Sequence, residues 1–100
     1  MRKIVLVCAQ GMSTVMLVNK MREAAEKQGY ECTISAYAVS QAQREAADAD
    51  VVLVGPQVRY ELDNVKKMLP DKPVDVISMT DYGRLNGENV LNFAKKMIGD

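Results

Sequence analysis

Four short strand-like runs separated by segments of helical period restrict the fold of this chain more than any other feature. Ile4–Val7 is a continuous run of Ile, Val and Leu, the composition expected of a strand buried on both faces at the centre of a sheet. From Ser13 the period changes: Leu17, Val18, Met21, Ala24 and Ala25 recur at helical spacing, and Gly29 is placed to end the helix with positive φ. Residues 31–37 (ECTISAY) predict a second strand. Ser40 with Gln43 predicts a capping box opening a short alanine-rich helix through Ala47. A third strand follows over Asp50–Val54. Gly55-Pro56 then ends it, with Pro56 suited to the first helical position and Val58, Leu62, Val65 and Leu69 forming an apolar stripe. Pro70 and Pro73 bracket a turn, Val74–Ile77 is a fourth strand, and a last helix starts near Glu88 with Val90, Leu91, Ala94, Met97 and Ile98 inward.

Strands that alternate with helices require right-handed crossovers and a parallel sheet covered on both faces. The predicted fold class is therefore α/β, a small doubly wound four-stranded parallel sheet of order 2-1-3-4. One domain over residues 1–100 is expected from the length and a hydrophobic content of 48%. In such sheets ligands bind beyond the carboxyl ends of the strands, where the winding reverses. That places Cys8, at the end of strand 1, at the expected site.

Composition removes several classes of function. Thirteen basic residues balance thirteen acidic ones, without a long run of like charge, so nucleic acid is not an expected partner. The apolar runs are far shorter than the roughly 18 to 20 residues that cross a bilayer, and the amino terminus lacks a signal-peptide pattern, so a cytoplasmic chain is expected. Histidine is absent, which removes the commonest general base and metal ligand. Two cysteines with 23 residues between them form neither a zinc site nor a redox pair, and no metal or cofactor is expected. Cys32, at the start of strand 2, is predicted to lie too far from Cys8 for a disulfide and reads as structural.

The loop Ala9, Gln10, Gly11, Met12, Ser13, Thr14 joins a strand to a helix, and its amides and two hydroxyls are candidates to converge on an anion. Holding Cys8 as a thiolate two units below its free pKa takes roughly 2.7 kcal/mol, and a helix dipole supplies at most about 2 kcal/mol. Several amide hydrogen bonds must share the task, and the same amides suit the three oxygens of a phosphocysteine. The alternative, a cysteine that is only a small buried hydrophobe, is the usual fate of free cysteines. The loop and its position at the switch point favour chemistry.

A cysteine loop at the end of the first strand is phosphatase-like. The low-molecular-weight tyrosine phosphatases, however, follow C-x5-R with Ser or Thr, and the residue six after Cys8 is Thr14. Without that arginine, fast hydrolysis of a phosphocysteine is not expected, and a relay fits better than a phosphatase. A regulatory module with a structural cysteine is the reading from a different class.

With "LVCAQGMST" and "ADVVLVGPQVRY" the chain resembles the lactose/cellobiose-type enzyme IIB component of the phosphoenolpyruvate-dependent sugar phosphotransferase system, over nearly its whole length. The resemblance implies a phosphotransferase component with phosphate carried on Cys8 and bound by the 9–14 loop. It also implies a phosphohistidine donor on enzyme IIA and a sugar acceptor on the membrane permease, enzyme IIC. The implied sugar is a β-disaccharide such as cellobiose, chitobiose or lactose. A monomer is expected.

Gly55, Pro56 and Gln57 share the carboxyl edge with Cys8 and read either as a wall of the site or docking surface, or as a simple strand-to-helix turn. Arg59 and Tyr60 fall off the apolar stripe and read as a solvated face, with contact to phosphate or a partner as the alternative for Arg59. The loop 78–87 reaches the same edge, where Asp81, Tyr82 and Arg84 are candidates to meet a partner, Tyr82 also to wall the site, and where the alternative is a loop that simply turns the chain. Met12 and Met16 are candidates for apolar contact around Cys8, whereas Met21, Met68 and Met97 read as core or core edge.

Overall fold

The computed structural model describes residues 1–9 and 12–100. Four parallel strands, β1 (Arg2–Val7), β2 (Cys32–Tyr37), β3 (Val51–Val54) and β4 (Val74–Val76), form one sheet in the order β2-β1-β3-β4. Five α-helices are described: α1 (Met12–Gln28), α2 (Val39–Glu45), α3 (Leu62–Met68), α4 (Met79–Gly83) and α5 (Gly87–Ile98). The predicted strand order is the observed one.

The sheet separates two apolar layers, as the unbroken Ile/Val/Leu composition of β1 and β3 requires. Ile4, Leu6, Val51 and Leu53 face Leu17 and Met21 of α1 and Leu91 of α5. Val5, Val7, Val52 and Val54 face Ala42 of α2 and Val65 of α3. All eight of these strand residues are fully buried. At about 25 cal/mol per Å² of apolar area, each such side chain contributes roughly 1.5–3 kcal/mol against solvent exposure.

Four local expectations are corrected. Helix α2 begins two residues before the predicted box: Ala38 is the N-cap, and its N–H donates to the Gln41 side-chain oxygen at 3.1 Å, so Ser40 lies within the helix. Its last helical residue is Glu45 rather than Ala47. Pro56 does open a helix, but Pro56–Glu61 is a 3-10 segment interrupted at Val58 (φ −118°, ψ 27°), and α3 proper starts at Leu62. The segment 78–87 is not all loop. Ser78 caps α4 by accepting the Asp81 N–H at 3.1 Å, and Leu85 reaches positive φ (53°) before α5.

Candidate functional site

Parallel strands bring the chain segments after β1, β3 and β4 to one edge of the sheet. Cys8 follows β1 directly and is held there by its own N–H, which donates to Tyr37 O on β2 at 3.1 Å. On its other side Gly55 follows β3, and its N–H donates to Val7 O at 2.8 Å. The Cys8 side chain sits between these anchors, 1% exposed and packed into the α1–α5 layer. No substitution of Gly55 is free of consequence, because a Cβ there would approach the Cys8 Cβ to 2.9 Å.

Thr14 occupies the first turn of α1 and is 2% exposed, the one buried polar residue among those described. Its hydroxyl lies 2.7 Å from the Tyr82 hydroxyl and also hydrogen-bonds the Cys8 thiol. Tyr82 reaches this point from α4, beyond the end of β4, and is itself buried. Thus Cys8, Thr14 and Tyr82, from three separate parts of the chain, form a contiguous polar thread within an apolar layer.

Burial pushes the Cys8 thiol up from its ordinary value, and the Thr14 hydrogen bond opposes that rise. The lowered thiol anticipated from loop amides is therefore not what the described residues produce. Desolvation of the sulfur outweighs the one side chain that favours its charged form. Gln10 and Gly11 of the predicted phosphate-binding loop lie outside the described residues. Of the rest of that loop, Ala9, Met12 and Ser13 are exposed and Thr14 is buried.

The remaining predicted residues divide by depth. Pro56 is buried at the start of its 3-10 segment, whereas Gln57 beside it is exposed. Tyr82 is buried and not an outward-facing residue. Asp81 accepts a hydrogen bond from Asn89 Nδ2 at 3.1 Å, and Arg59, Tyr60 and Arg84 are exposed. Met12 (78% exposed) and Met16 (45%) give apolar surface at the start of α1, joined in exposure by Val15 and by Met79 at the start of α4. Met21 is core, and Met68 and Met97 are half-buried. Val15 and Met79 were not singled out from the sequence, where nothing distinguishes an exposed apolar residue near a helix start from a core one.

The tyrosine-phosphatase arginine position is filled by Thr14, already engaged with Tyr82, and among the described residues no group of His, Cys, Asp or Glu is placed to hold a metal ion. A cleft lined by Arg2, Tyr30, Asp50 and Asp100 lies at the opposite, amino edge of the sheet. Three of its polar groups already engage one another: Arg2 binds Asp100 through two bonds of 2.9 Å, and the Tyr30 hydroxyl also donates to Asp100.

Residues 3–93 match the family model of the PTS system, lactose/cellobiose specific IIB subunit. The chain belongs to that family. It is 38% identical over 102 residues to the galactose-specific EIIB component of Lactococcus lactis subsp. cremoris, covering 95% of this chain and 94% of the relative. It is 36% identical to the oligo-beta-mannoside-specific EIIB component of Bacillus subtilis, covering 98% and 97%. The solution structure of a cellobiose-specific phosphotransferase IIB component from Borrelia burgdorferi superposes with a TM-score of 0.83 at 35% identity, over 98% of this chain and 92% of the other. A lactose-specific IIB domain from Streptococcus pneumoniae gives the same TM-score, 0.83, at 18% identity over 96% of each chain, a likeness of fold. Membership of this IIB family makes the chain a component of a sugar phosphotransferase system.

Proposed function

We propose that the chain is a single-domain, monomeric phosphoryl carrier of the cytoplasm, with Cys8 as the group that bears phosphate. The observation that carries this reading is the placement of Cys8 at the carboxyl end of the central strand, hydrogen-bonded to Thr14 at the start of α1, in a chain of the IIB family.

In the first step the Cys8 sulfur attacks the phosphorus of a phosphohistidine on enzyme IIA. An S–P bond forms as the N–P bond breaks, and the thiol proton goes to the leaving imidazole. A thiol held protonated by burial until the donor arrives supplies that proton. In the second step a hydroxyl of the sugar held by enzyme IIC attacks the same phosphorus, the S–P bond breaks, and the hydroxyl proton returns the sulfur to a thiol. Once the sulfur is phosphorylated, loop amides of residues 9–14 and the Ser13 and Thr14 hydroxyls, the latter turned from the free thiol, bind the phosphoryl oxygens, and Gly55, Pro56 and Gln57 wall the site.

The absence of histidine fits a donor on another chain. No helix among the described residues is long and apolar enough to cross a membrane, which fits an acceptor site supplied by a separate membrane component. The sugar is proposed to be a β-linked disaccharide. The relatives carry the names galactose, cellobiose and oligo-beta-mannoside at 36–38% identity, so selectivity is assigned to the permease.

The test is peptide-mapped mass spectrometry after incubation with phosphoenolpyruvate and the general phosphotransferase proteins with a cognate IIA. A phosphoryl mass on Cys8, absent in Cys8→Ser, present in Cys32→Ser and discharged by permease membranes plus sugar, is the expected result. An unmodified Cys8 beside a phosphorylated control carrier defeats the proposal.

A further inference from the structure

We propose that Tyr82 is a positioning residue for Cys8: its phenolic O–H donates to Thr14 Oγ1, so that the single hydroxyl hydrogen of Thr14 stays directed at the Cys8 sulfur. This rests on reading Cys8 as the phosphoryl carrier and names a residue outside the loop that tunes it.

The two hydroxyl oxygens are 2.7 Å apart and either atom can be the donor. Chemistry selects one direction. A phenol is a stronger acid than an aliphatic alcohol and hence the better donor, while the Thr14 oxygen has lone pairs to accept and only one hydrogen to give. If Thr14 gave that hydrogen to Tyr82, its oxygen would turn only lone pairs toward the sulfur. With Tyr82 as donor the thread runs Tyr82 to Thr14 to Cys8, each bond polarising the next in a layer from which water is excluded.

The structure fixes Tyr82 for this task. The residue is 6% exposed and packed into the same core cluster as Cys8, and its backbone N–H donates to Ser78 O at 3.0 Å. Ser78 is also the side-chain cap of α4, so the turn that follows β4 orients the phenol. A hydrogen bond into sulfur favours the charged form, which matches the Thr14 contribution opposing burial at Cys8.

The test uses the Cys32→Ser protein, so that Cys8 is the only thiol, and follows the pH dependence of its alkylation by iodoacetamide. Tyr82→Phe keeps the ring and removes the hydroxyl. Its profile is expected to move to higher pH, with alkylation near neutral pH slower by about threefold to tenfold. In a Thr14→Val background, Tyr82→Phe produces no further change, and Thr14→Ser, which retains a hydroxyl, stays close to the parent. Incorporation of 3-fluorotyrosine at position 82, a stronger donor of nearly the same size, changes the rate in the opposite direction and remains informative if Tyr82→Phe does not fold. A Tyr82→Phe profile superposable on the parent, an equal shift with and without the Thr14 hydroxyl, or no response to fluorination overturns the proposal. Phosphorylation by a phosphohistidine donor is scored separately. A parent that responds to these changes but never acquires phosphate defeats the carrier reading alone, whereas one that is phosphorylated but indifferent to Tyr82 defeats this inference alone.

Discussion

A methyl group on Gly55 would lie 2.9 Å from the Cys8 Cβ, closer than side-chain carbons pack. Neither partner can retreat easily, because the Gly55 N–H is tied to Val7 O at 2.8 Å and Cys8 N–H to Tyr37 O at 3.1 Å. The Gly55 backbone, at φ −64° and ψ 144°, is ordinary for alanine, so contact alone sets the cost of substitution. Gly55→Ala is expected to lower stability by about 1–3 kcal/mol and to displace the thiol. Urea unfolding checks the first and the alkylation rate of Cys8 the second; an unchanged midpoint would show that this edge yields.

Gly87 makes a tighter contact still. A Cβ there would meet the Lys20 carbonyl carbon at 2.3 Å and the Met21 nitrogen at 2.5 Å, both backbone atoms of α1. Gly87→Ala must separate α1 from α5 and is expected to cost at or above the top of the ~1–3 kcal/mol range for overpacking. Gly83, with nothing within 4 Å of its Cβ position, provides the contrast. Gly83→Ala is expected to be neutral or stabilising by no more than about 1 kcal/mol. Thermal melts of the two variants should lie on opposite sides of the parent or well apart.

Tyr30 gives a prediction at high pH. Burial, together with the hydrogen bond its hydroxyl donates to Asp100, pushes the phenol up to about 12. A folded-state value above the unfolded one means the folded protein holds the proton more firmly. This contribution to stability is therefore complete below the unfolded phenol value of about 10 and is lost as pH rises through the folded one. In absorbance titration at 295 nm, one tyrosine should ionise late, and that late step should vanish in Tyr30→Phe. Its persistence in Tyr30→Phe would assign it elsewhere.

The two cysteines should never pair within one molecule. Arg2 stands opposite Cys32 in the β1–β2 register, and Cys8 lies six residues beyond Arg2, or about 20 Å at ~3.3 Å per residue. A disulfide requires Cα atoms within about 7 Å. Mild oxidation followed by non-reducing mass spectrometry is expected to find no intramolecular Cys8–Cys32 bridge, and finding one in the monomer would contradict the register.

The sheet was legible in the sequence because its cause is local. Ile4–Val7 and Val51–Val54 have no polar face, so they must be interior parallel strands, and the helical periods between them force crossovers. The position of Cys8 followed from that topology, as did its neighbourhood with Gly55. Helix starts were less legible, since Ser40-x-x-Gln43 has the pattern of a cap but the helix begins sooner after β2 and lets Gln41 satisfy Ala38. The 3-10 start at Pro56 was hidden for a similar reason: the stripe Val58, Leu62, Val65 suits several helical geometries. The bond between Thr14 and Tyr82 spans 68 positions and is created only by folding. Tyr82 was visible as a residue at the right edge, but its inward direction and its partner were not.

The mounting of Cys8 at the buried end of a central strand has a mechanical consequence. The sulfur has no flexible arm, so phosphate carried on it, as proposed, would be fixed in the frame of the whole molecule. Such a carrier would deliver its cargo by tumbling as one body between docking events. On the proposed function, donor and acceptor address the same edge of the sheet and thus exclude one another, and the exchange proceeds by strict alternation rather than through a three-protein assembly.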